Sequence, residues 1–331
     1  MRIAVLGAGA VGGTLAALLS REGHEVLVTA RGEHLAALQQ HGLHVDGGFG
    51  EIEARVVAHA TLAARPEFAI LTTKAQDAAA TLADNAQLLE GVPVLVVQNG
   101  IGGLEAARSA LPHSPVLGGL ALFAASYLSP GRVTVTAAAP ILVGASEGAD
   151  PSLARMIAKA LGTRIRVEVS DDIVAAQWTK LLVNHVNALP AITGLSVQDV
   201  VAHPSTRRIM AASMRETVRI VHARGGKFGD LPGIRGWLVA LIGSLPLALG
   251  AVFPRTLARR MGSVPNPGST LQSIRRGRPT EIDFLNGAVV ALAEPIGRTA
   301  PINAALTALV HDVEASGEFL TPEQLSARVA V

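Results

Sequence analysis

The sequence predicts an α/β protein, in which a doubly wound parallel sheet in residues 1–170 is followed by an all-helical domain in residues 171–331. Three observations support this prediction. Short apolar runs alternate with helical patterns in the first half, a glycine-rich loop joins the first run to the first helix, and the strand signal fades after residue 171. Alternating strands and helices are typical of a parallel sheet with helices on both faces.

Each element follows from a local apolar pattern. The predicted strands are residues 3–6, 26–29, 68–72, 94–97, 116–122, 133–136, 141–143 and 165–169, and we expect the later ones to close the first domain. The predicted helices of that domain are residues 15–22, 35–40, 78–90, 104–110 and one that starts at Leu153. In the second domain, residues 173–189, 205–223, 281–293 and 302–314 are predicted to be helical.

Composition excludes several functional classes. Hydrophobic residues make up 49% of the 331 residues and charged residues 16%, which excludes a disordered or collagen-like chain. The net charge is only +2 and aromatic residues are 3%, so we expect no nucleic-acid partner. Cysteine is absent, which excludes disulfides and cysteine nucleophiles, and the histidines lack metal-ligand spacing, so no metal is predicted.

Two segments were compared with membrane-directing sequences, the N-terminal residues as a signal peptide and the apolar insert at 236–254 as a membrane-spanning helix. Neither has the pattern of such a sequence. The opening MRIAVLG runs straight into a glycine loop without an apolar signal core, and we expect a cytoplasmic protein. The 19 uncharged residues between Arg235 and Arg255 reach the length of a membrane span. Pro246 interrupts this insert, which favours two short helices, buried or interfacial, and we predict no membrane contact.

The loop GAGAVG has the spacing GxGxxG, and its position makes it informative. It directly follows a predicted strand and opens an apolar helix, as a Rossmann-type dinucleotide site requires. The first glycine allows the turn, the second admits the pyrophosphate, and the helix N-terminus supplies amides and a positive dipole. The residues predicted to bind the cofactor here are Gly7, Ala8, Gly9, Ala10, Val11 and Gly12.

Residues after the next strands indicate the choice of cofactor. An NAD site would place a carboxylate at the end of the second strand, where this chain has Arg31, so NADP is predicted over NAD. Lys74 and Asn99 follow the ends of later strands and are expected to face the cofactor. Two plainer interpretations stay open: Arg31 as an ordinary solvated residue, and Asn99-Gly100 as a simple turn.

A polar stripe crosses the otherwise apolar helix predicted for residues 173–189. Gln177, Lys180, Asn184 and Asn187 fall within about 80° on a helical wheel. The stripe lines either a ligand cleft or a solvated face, and we favour the cleft because the rest of the helix is apolar. A lysine suits the reduction of a ketone, because an ammonium stabilises the developing alkoxide and donates a proton to it.

These motifs together resemble the ketopantoate reductase family (2-dehydropantoate 2-reductase). The resemblance rests on GAGAVG, Arg31, Lys74, QNG at 98–100, the Lys180 helix and PTEIDFLNGAVV, and it covers nearly the whole chain. It implies that NADPH reduces ketopantoate to pantoate in a cleft between the domains. It further implies that Lys180 is the general acid, Asn184 and Ser269 contact the substrate, Glu281 touches cofactor or substrate, and Asn99 and Ala125 line the nicotinamide side.

Two departures from the family pattern concern the substrate pocket. The family places its second asparagine four residues after the first, whereas Asn187 follows Asn184 by three, and in an α-helix this shift turns the side chain by about 100°. The segment between Gly226 and Ser269, which contains the apolar insert at 236–254, is longer than in typical members. The alternatives are therefore a reductase of another 2-keto acid, or a noncatalytic NADP-binding regulator. A homodimer would form through the helical domain.

A hydrolase is the rival of a different class. Gly144, Ser146 and Gly148 match GxSxG, and Asp171 and His311 could complete a triad.

Glu281 also has a purely structural alternative, as an acidic residue in the first turn of a helix.

Overall fold

A computed structural model describes residues 1–262 and 264–331. The chain forms two compact units: unit 1 spans Met1–Val174 and unit 2 spans Ala175–Val331. Unit 1 is built on a largely parallel sheet and unit 2 is helical, which confirms the predicted α/β fold class.

Unit 1 contains twelve strands and five helices among the described residues. The strands are β1 (Arg2–Leu6), β2 (Glu25–Thr29), β3 (Leu43–Gly47), β4 (Ile52–Ala54), β5 (Val57–His59), β6 (Phe68–Leu71), β7 (Val94–Val97), β8 (Val116–Ala121), β9 (Ala124–Ser129), β10 (Arg132–Ala137), β11 (Ile141–Ala145) and β12 (Val167–Val169). The helices are α1 (Ala10–Arg21), α2 (Gly32–His41), α3 (Ala78–Leu89), α4 (Gly103–Ala110) and α5 (Pro151–Ala160).

The main sheet has eight strands in the order β12-β11-β8-β7-β6-β1-β2-β5. The six strands from β8 to β5 run parallel, and β11 pairs antiparallel with β8. The chain moves outward from β1 through β2 and then returns to the other side of β1 at β6. The strand order therefore reverses between β1 and β6, and ligands of such sheets bind at the carboxyl ends of the strands at this point.

Alternation along β1 explains why helices cover both faces of the sheet. Ile3 and Val5 are fully buried in a core with α1, whereas Ala4 and Leu6 are fully buried in a second core with α3 and α4. Successive side chains of a strand point to opposite faces, so a continuous apolar run marks a strand that is buried on both.

The sequence predicts that the strand at 133–136 extends the main sheet, and this prediction is wrong. Here β10 belongs to a separate four-stranded sheet of order β4-β3-β10-β9, and β3, β4, β5 and β9 were not predicted. Val133 and Val135 on β10 are buried in the same core as α1, so the small sheet covers this helix. An apolar strand pattern gives burial but does not say in which sheet the strand pairs.

Unit 2 surrounds the 20-residue helix α9 with shorter helices. Its helices are α6 (Ile173–Asn184, whose first two residues belong to unit 1), α7 (Ala188–Thr193), α8 (Val197–Ala202), α9 (Pro204–Ala223), α10 (Gly236–Leu241), α11 (Leu247–Gly250), α12 (Val252–Arg260), α13 (Gly268–Arg275), α14 (Asn286–Ala293), α15 (Pro301–Ser316) and α16 (Pro322–Arg328). Val218 and Val221 of α9 are buried in the core of this unit.

Two predicted helices are interrupted in the structure. The helix expected at 173–189 breaks into α6, a 3₁₀ turn at His185–Asn187, and α7. The helix expected at 281–293 begins instead with a 3₁₀ turn at Ile282–Phe284 and continues as α14. The insert forms the short helices α10 and α11 on either side of Pro246, as predicted. Within the described part of the chain, no helix combines the length and apolarity needed to cross a bilayer.

Candidate active site

The glycine loop is held between the ends of β2 and β6. The Thr29 hydroxyl accepts a hydrogen bond from the Gly7 amide at 3.0 Å, and the Thr72 hydroxyl donates to the Gly7 carbonyl at 2.7 Å. Gly7 has φ +96°, and a Cβ at Gly12 would lie 2.0 Å from the Gly7 carbonyl oxygen and 2.3 Å from Thr72 Oγ1. Only glycine therefore fits at these two positions.

The middle glycine of the motif differs from its neighbours. A Cβ at Gly9 would meet no atom within 4 Å among the described residues, so this side of the loop is open. Gly9 is also the N-cap of α1, where no side chain caps the helix and no acidic residue lies in the first turn. An open backbone at an uncapped helix N-terminus fits a phosphate group.

Two polar atoms beside the loop support the same fit. Thr73 Oγ1 and Gln98 Oε1 are buried and have no hydrogen-bond partner among the described residues. Gln98 follows β7, and its side-chain amide donates to the Thr73 carbonyl at 2.7 Å. Because buried polar atoms are normally paired, these two indicate a polar ligand at the carboxyl edge of the sheet. The residues around the loop thus fit a dinucleotide.

Lys74 and Asn99 lie at that same edge. Lys74 follows β6 and is half-buried at the start of a 3₁₀ turn, Ala75–Asp77. Asn99 follows β7 and is exposed, and Gly100 beside it has φ +82°. The turn interpretation of Asn99-Gly100 therefore describes the backbone here, and it leaves the Asn99 side chain available to a ligand.

Arg31 lies at the carboxyl end of β2, where a carboxylate would mark an NAD site. Its side chain is 69% exposed and pairs with Asp84 on α3, with Nη2 and Oδ2 3.6 Å apart. An exposed pair of this kind is weak, so a phosphate could take the place of Asp84. The side chain at the end of β2 therefore carries a positive charge, where an NAD site would carry a negative one.

His34 is a residue that the sequence analysis missed. Its Nε2 donates to the carbonyl of Ala8 in the glycine loop at 2.7 Å, and its Nδ1 accepts from the Gly131 amide at 3.0 Å. This arrangement requires the neutral imidazole, and burial lowers the pKa of His34. Both partners are backbone groups distant in sequence, so no local pattern reveals the contact.

Ala125 lies on β9 in the small sheet, where it pairs with Val135 and packs against the core that contains α1. The predicted role beside the nicotinamide stays a prediction.

In unit 2, Lys180 is half-buried on α6 and its ammonium makes no hydrogen bond or ion pair with residues 1–262 or 264–331. Burial lowers its pKa below that of an ordinary lysine. Asn184 lies one turn further along the same face and is 8% exposed. A lysine without a carboxylate partner in partly apolar surroundings is suited to proton transfer.

The rest of the polar stripe is buried as well. Gln177 and Asn187 are each 9% exposed, which contradicts the solvated-face alternative. The 3₁₀ turn at His185–Asn187 also compensates for the shortened spacing, because side chains three residues apart in a 3₁₀-helix eclipse one another. Asn187 can therefore share the face of Asn184.

Two predicted substrate contacts meet in the structure. The Asn187 side-chain oxygen accepts a hydrogen bond from the Ser269 amide at 3.3 Å, at the start of α13. Gly268 has φ +72°, and a Cβ there would lie 2.5 Å from the same oxygen. The close approach of α13 to the 3₁₀ turn therefore requires a glycine.

Glu281 is half-buried and immediately precedes the 3₁₀ turn at Ile282–Phe284. It does not stand in the first turn of α14, because Asn286 is the first residue of that helix. The first-turn alternative for Glu281 is therefore wrong.

A buried polar network behind this region was also missed. His185 is fully buried, and its Nε2 donates at 2.7 Å to the Thr217 hydroxyl on α9, which in turn donates to the Ser213 carbonyl. The Asn303 side-chain oxygen accepts from Ser213 Oγ and Asn286 Nδ2, each at 2.8 Å. The network joins the turn that carries Asn187 to α9, α14 and α15. Polar residues scattered over about 120 positions gave no local signal.

The hydrolase alternative does not fit the structure. Ser146 is 6% exposed, and its hydroxyl donates to the Val116 carbonyl. His311 is occupied by two carboxylates, Asp283 at 2.9 Å and Glu314 at 2.6 Å, which raise its pKa. Ser146 therefore lacks the exposed hydroxyl that a nucleophile elbow presents.

Comparisons with known proteins agree with the motifs. Residues 3–148 match the family model of ketopantoate reductase PanE/ApbA, and residues 172–314 match that of its C-terminal domain. The chain is 30% identical to the 2-dehydropantoate 2-reductase of Archaeoglobus fulgidus, over 95% of this chain and 98% of the relative. It is 28% identical to that of Pyrococcus horikoshii, over 96% and 99%.

Solved structures show the same fold. The crystal structure of a PanE/ApbA family ketopantoate reductase from Ralstonia eutropha has a TM-score of 0.81 and 28% identity, covering 96% of this chain and 99% of that one. D-mandelate dehydrogenase with NADH and anilino(oxo)acetate has a TM-score of 0.83 at 23% identity and the same coverage, a likeness of fold alone. This chain, an oxidoreductase, belongs to the ketopantoate reductase family.

Proposed function

We propose that this protein reduces 2-dehydropantoate to pantoate, with NADPH as the hydride donor and Lys180 as the proton donor. The observation that carries the proposal is the half-buried Lys180 ammonium, which has no protein partner among the described residues. The family supplies the reaction class, since relatives such as the Archaeoglobus fulgidus protein are named 2-dehydropantoate 2-reductase.

Lys180 acts on the oxygen of the substrate ketone. Bound NADPH supplies the hydride that the keto carbon receives. The carbonyl oxygen then gains negative charge, and the Lys180 ammonium stabilises this charge and transfers its proton, which completes the hydroxyl group. Because burial lowers the pKa of Lys180, the ammonium releases its proton more readily than an exposed lysine would. Solvent water returns the proton to the lysine.

Polar side chains of unit 2 hold the substrate. Asn184 and Asn187 offer amide groups, and Ser269, joined to Asn187 by its backbone amide, offers an exposed hydroxyl. These groups suit the hydroxyl and carboxylate of a 2-oxo acid. Half-buried Glu281 completes the set by holding a hydroxyl of substrate or cofactor. Their shape and spacing decide between 2-dehydropantoate and another 2-oxo acid.

The carboxyl edge of the unit 1 sheet holds the cofactor. The open backbone at Gly9 and the N-terminus of α1 receive the pyrophosphate, and Arg31 receives the adenosine 2′-phosphate. Lys74, Asn99 and Ala125 lie toward the nicotinamide half. An NAD-dependent enzyme would instead require a ribose-binding carboxylate at the end of β2, where Thr29 and Arg31 stand.

A substrate panel tests the proposed reaction. Purified protein is assayed for NADPH oxidation with 2-dehydropantoate, 2-oxoisovalerate, pyruvate and phenylglyoxylate, and the highest kcat/KM is expected for 2-dehydropantoate. A higher kcat/KM for another 2-oxo acid would change the assigned substrate but would still identify the protein as a 2-oxo acid reductase. Absence of turnover with the whole panel, together with intact NADPH binding, would refute the reductase proposal.

Arg31→Ala tests the choice of cofactor. Loss of charge-assisted bonds to the 2′-phosphate is expected to raise the KM for NADPH about tenfold to a hundredfold and to leave the KM for NADH unchanged. Asp84→Asn is the matched control, because it removes the same ion pair but keeps the guanidinium, and its KM for NADPH should not rise. An equal effect of Arg31→Ala on both cofactors would contradict the NADP assignment.

A further inference from the structure

The segment that contains the apolar insert carries charge of only one sign. Between Asp230 and Glu281 the chain has seven arginines and no aspartate, glutamate, lysine or histidine. Those arginines are Arg235, Arg255, Arg259, Arg260, Arg275, Arg276 and Arg278. Such a long stretch without acidic residues contrasts with the whole chain, where 28 basic residues stand against 26 acidic ones. Asp230 pairs with Arg235, with Oδ2 and Nη1 2.6 Å apart, and the segment itself supplies no acidic residue for the other six arginines.

The insert exposes large apolar side chains on one face of α10. Trp237 is 63% exposed, Leu238 48% and Leu241 45%, and residues at these positions share one side of a helix. Val239, on the opposite side, is fully buried in the core of unit 2. The helix is therefore anchored to unit 2 and presents a tryptophan and two leucines outward, an arrangement that marks an interaction surface.

The following helix, α12, is amphipathic in the same segment. Val252, Arg255, Thr256, Arg259 and Arg260 are its exposed residues, spaced so that they form one face. Leu257 is buried in the unit 2 core. Arg255, Arg259 and Arg260 form no ion pair with an acidic residue of 1–262 or 264–331. We call the exposed side chains Trp237, Leu238, Leu241, Val252, Arg255 and Arg259 the insert face.

Two contacts bring charge and apolar surface together. The Arg260 guanidinium donates a hydrogen bond to the Gly233 carbonyl, just before α10, so the basic end of α12 adjoins the start of α10. Burial and the like charge of Arg255 lower the pKa of the Arg207 guanidinium on α9, which places a further positive charge nearby. The insert face thus combines four apolar side chains with two arginines, and Arg260 and Arg207 add positive charge beside it.

Charge decides which partner this face fits. A second copy of the chain, related by a two-fold axis, would bring the arginines of one insert face against those of the other. An anionic bilayer satisfies both properties, because its headgroups neutralise arginine and its interfacial region accepts tryptophan and leucine. Tryptophan is enriched at this depth of the membrane.

We propose that the insert face binds the surface of an anionic phospholipid bilayer without spanning it. The proposal goes beyond the reductase function and does not depend on it. It departs from the sequence-based prediction of no membrane contact, because the apolar run alone did not show which side chains would be exposed.

Vesicle sedimentation with the full-length protein tests the proposal. At low salt the protein should sediment with vesicles of phosphatidylcholine and phosphatidylglycerol in a ratio of about 7:3, and not with phosphatidylcholine alone. Added salt at 0.5 M should weaken binding by screening the headgroups. Trp237 supplies a second measurement in a Trp178→Phe background, where its fluorescence should shift to the blue on binding. Equal sedimentation with both vesicle types would contradict the electrostatic part.

Paired variants assign the binding to this face. Trp237→Ser combined with Leu241→Ser removes exposed apolar area and should weaken vesicle binding at least tenfold. Arg255→Ser combined with Arg259→Ser should weaken it about 25-fold, at about fivefold per arginine. The matched controls are Leu128→Ser and Arg155→Ser with Arg164→Ser, on exposed positions of unit 1, and they should bind like the parent protein.

Two outcomes would overturn the proposal. One is unchanged vesicle binding by the Trp237 and Leu241 double variant. The other is a parent protein that is dimeric in analytical ultracentrifugation and becomes monomeric on those same substitutions, which would assign the face to a second copy. A dimer that persists in the variant uses another surface and leaves the lipid assignment to the vesicle result.

Discussion

Each unit positions its own candidate site residues by a different means. In unit 1 the glycine loop is backbone, held by short contacts at the ends of neighbouring strands, such as Thr29 and Thr72. In unit 2 the turn that carries Asn187 is held by buried side chains, from His185 through Thr217 on α9. A site made of backbone depends on the residues that leave space, whereas a site held by side chains depends on the hydrogen bonds those side chains complete.

This difference predicts where each unit is sensitive to substitution. Unit 1 should be damaged by an added methyl group at one glycine and should tolerate it at the next. Unit 2 should respond to the protonation or loss of a buried polar group, because burying such a group without its partner costs about 1–3 kcal/mol.

The largest expected effect separates two glycines of the same loop. Gly12→Ala should destabilise unit 1 by about 3 kcal/mol and abolish NADPH binding, because its Cβ would lie 2.0 Å from a backbone oxygen. Gly9→Ala is the control, since its Cβ would meet no described atom within 4 Å. It should change stability by under about 0.5 kcal/mol and weaken NADPH binding alone. Circular dichroism and fluorescence titration measure the two quantities. Equal thermal stability of both variants would remove the distinction.

The next effect concerns His185 and pH. Burial lowers the pKa of His185 from 6.5 to about 4, so the folded state requires neutral imidazole. The contribution of neutral His185 to the free energy of unfolding is fully present above pH 6.5. It is lost as the pH falls to 4, which lowers the free energy of unfolding by about 3 kcal/mol. His185→Gln keeps a donor toward Thr217 and does not titrate, so its deficit relative to the parent should shrink over this range.

Urea denaturation followed by tryptophan fluorescence measures the His185 effect, because Trp178 and Trp237 both lie in unit 2. The control is His113→Gln, at an exposed histidine of unit 1, which leaves the buried imidazole of His185 in place. A constant difference between the parent and His185→Gln from pH 7 to pH 4 would contradict a buried neutral imidazole.

The smallest effect sharpens the comparison, because His34 is a side chain that supports the backbone-built site. His34→Gln can still donate to the Ala8 carbonyl, whereas His34→Asn keeps only the acceptor for the Gly131 amide. His34→Asn should weaken NADPH binding about fivefold, the value of one hydrogen bond, and His34→Gln should bind nearly as the parent does. If the two variants are equally impaired, His34 does not position the glycine loop.

Sequence reasoning located residues best where their position in the sheet follows from local order along the chain. The glycine loop, Arg31, Lys74 and Asn99 each follow a strand, and parallel strands bring their carboxyl ends to one edge. Predicting these positions needs no knowledge of distant contacts. The prediction failed for β10, because the choice between two sheets depends on the partners β3 and β9, and neither was predicted.

Sequence reasoning was weaker in unit 2, where the decisive contacts are long-range. A helical wheel predicted the polar stripe but not the 3₁₀ turn at His185–Asn187, which offsets the shortened spacing between Asn184 and Asn187. The turn coincides with the buried bond from His185 to Thr217, 32 residues away. The exposure of Trp237 could not be predicted either, because an apolar run has the same sequence pattern whether its side chains are buried or exposed.

The central claim is that Lys180 donates the proton, and the most direct test compares turnover with binding in Lys180→Ala. The variant should bind NADPH with the parent's affinity and lose about a hundredfold to ten-thousandfold in kcat. In the parent, kcat/KM should fall as the pH rises through the lowered pKa of Lys180, below the usual value of about 10.4, and this decline should be absent from the residual activity of the variant. Parent-like turnover by Lys180→Ala, or the same alkaline decline in both proteins, would contradict the account.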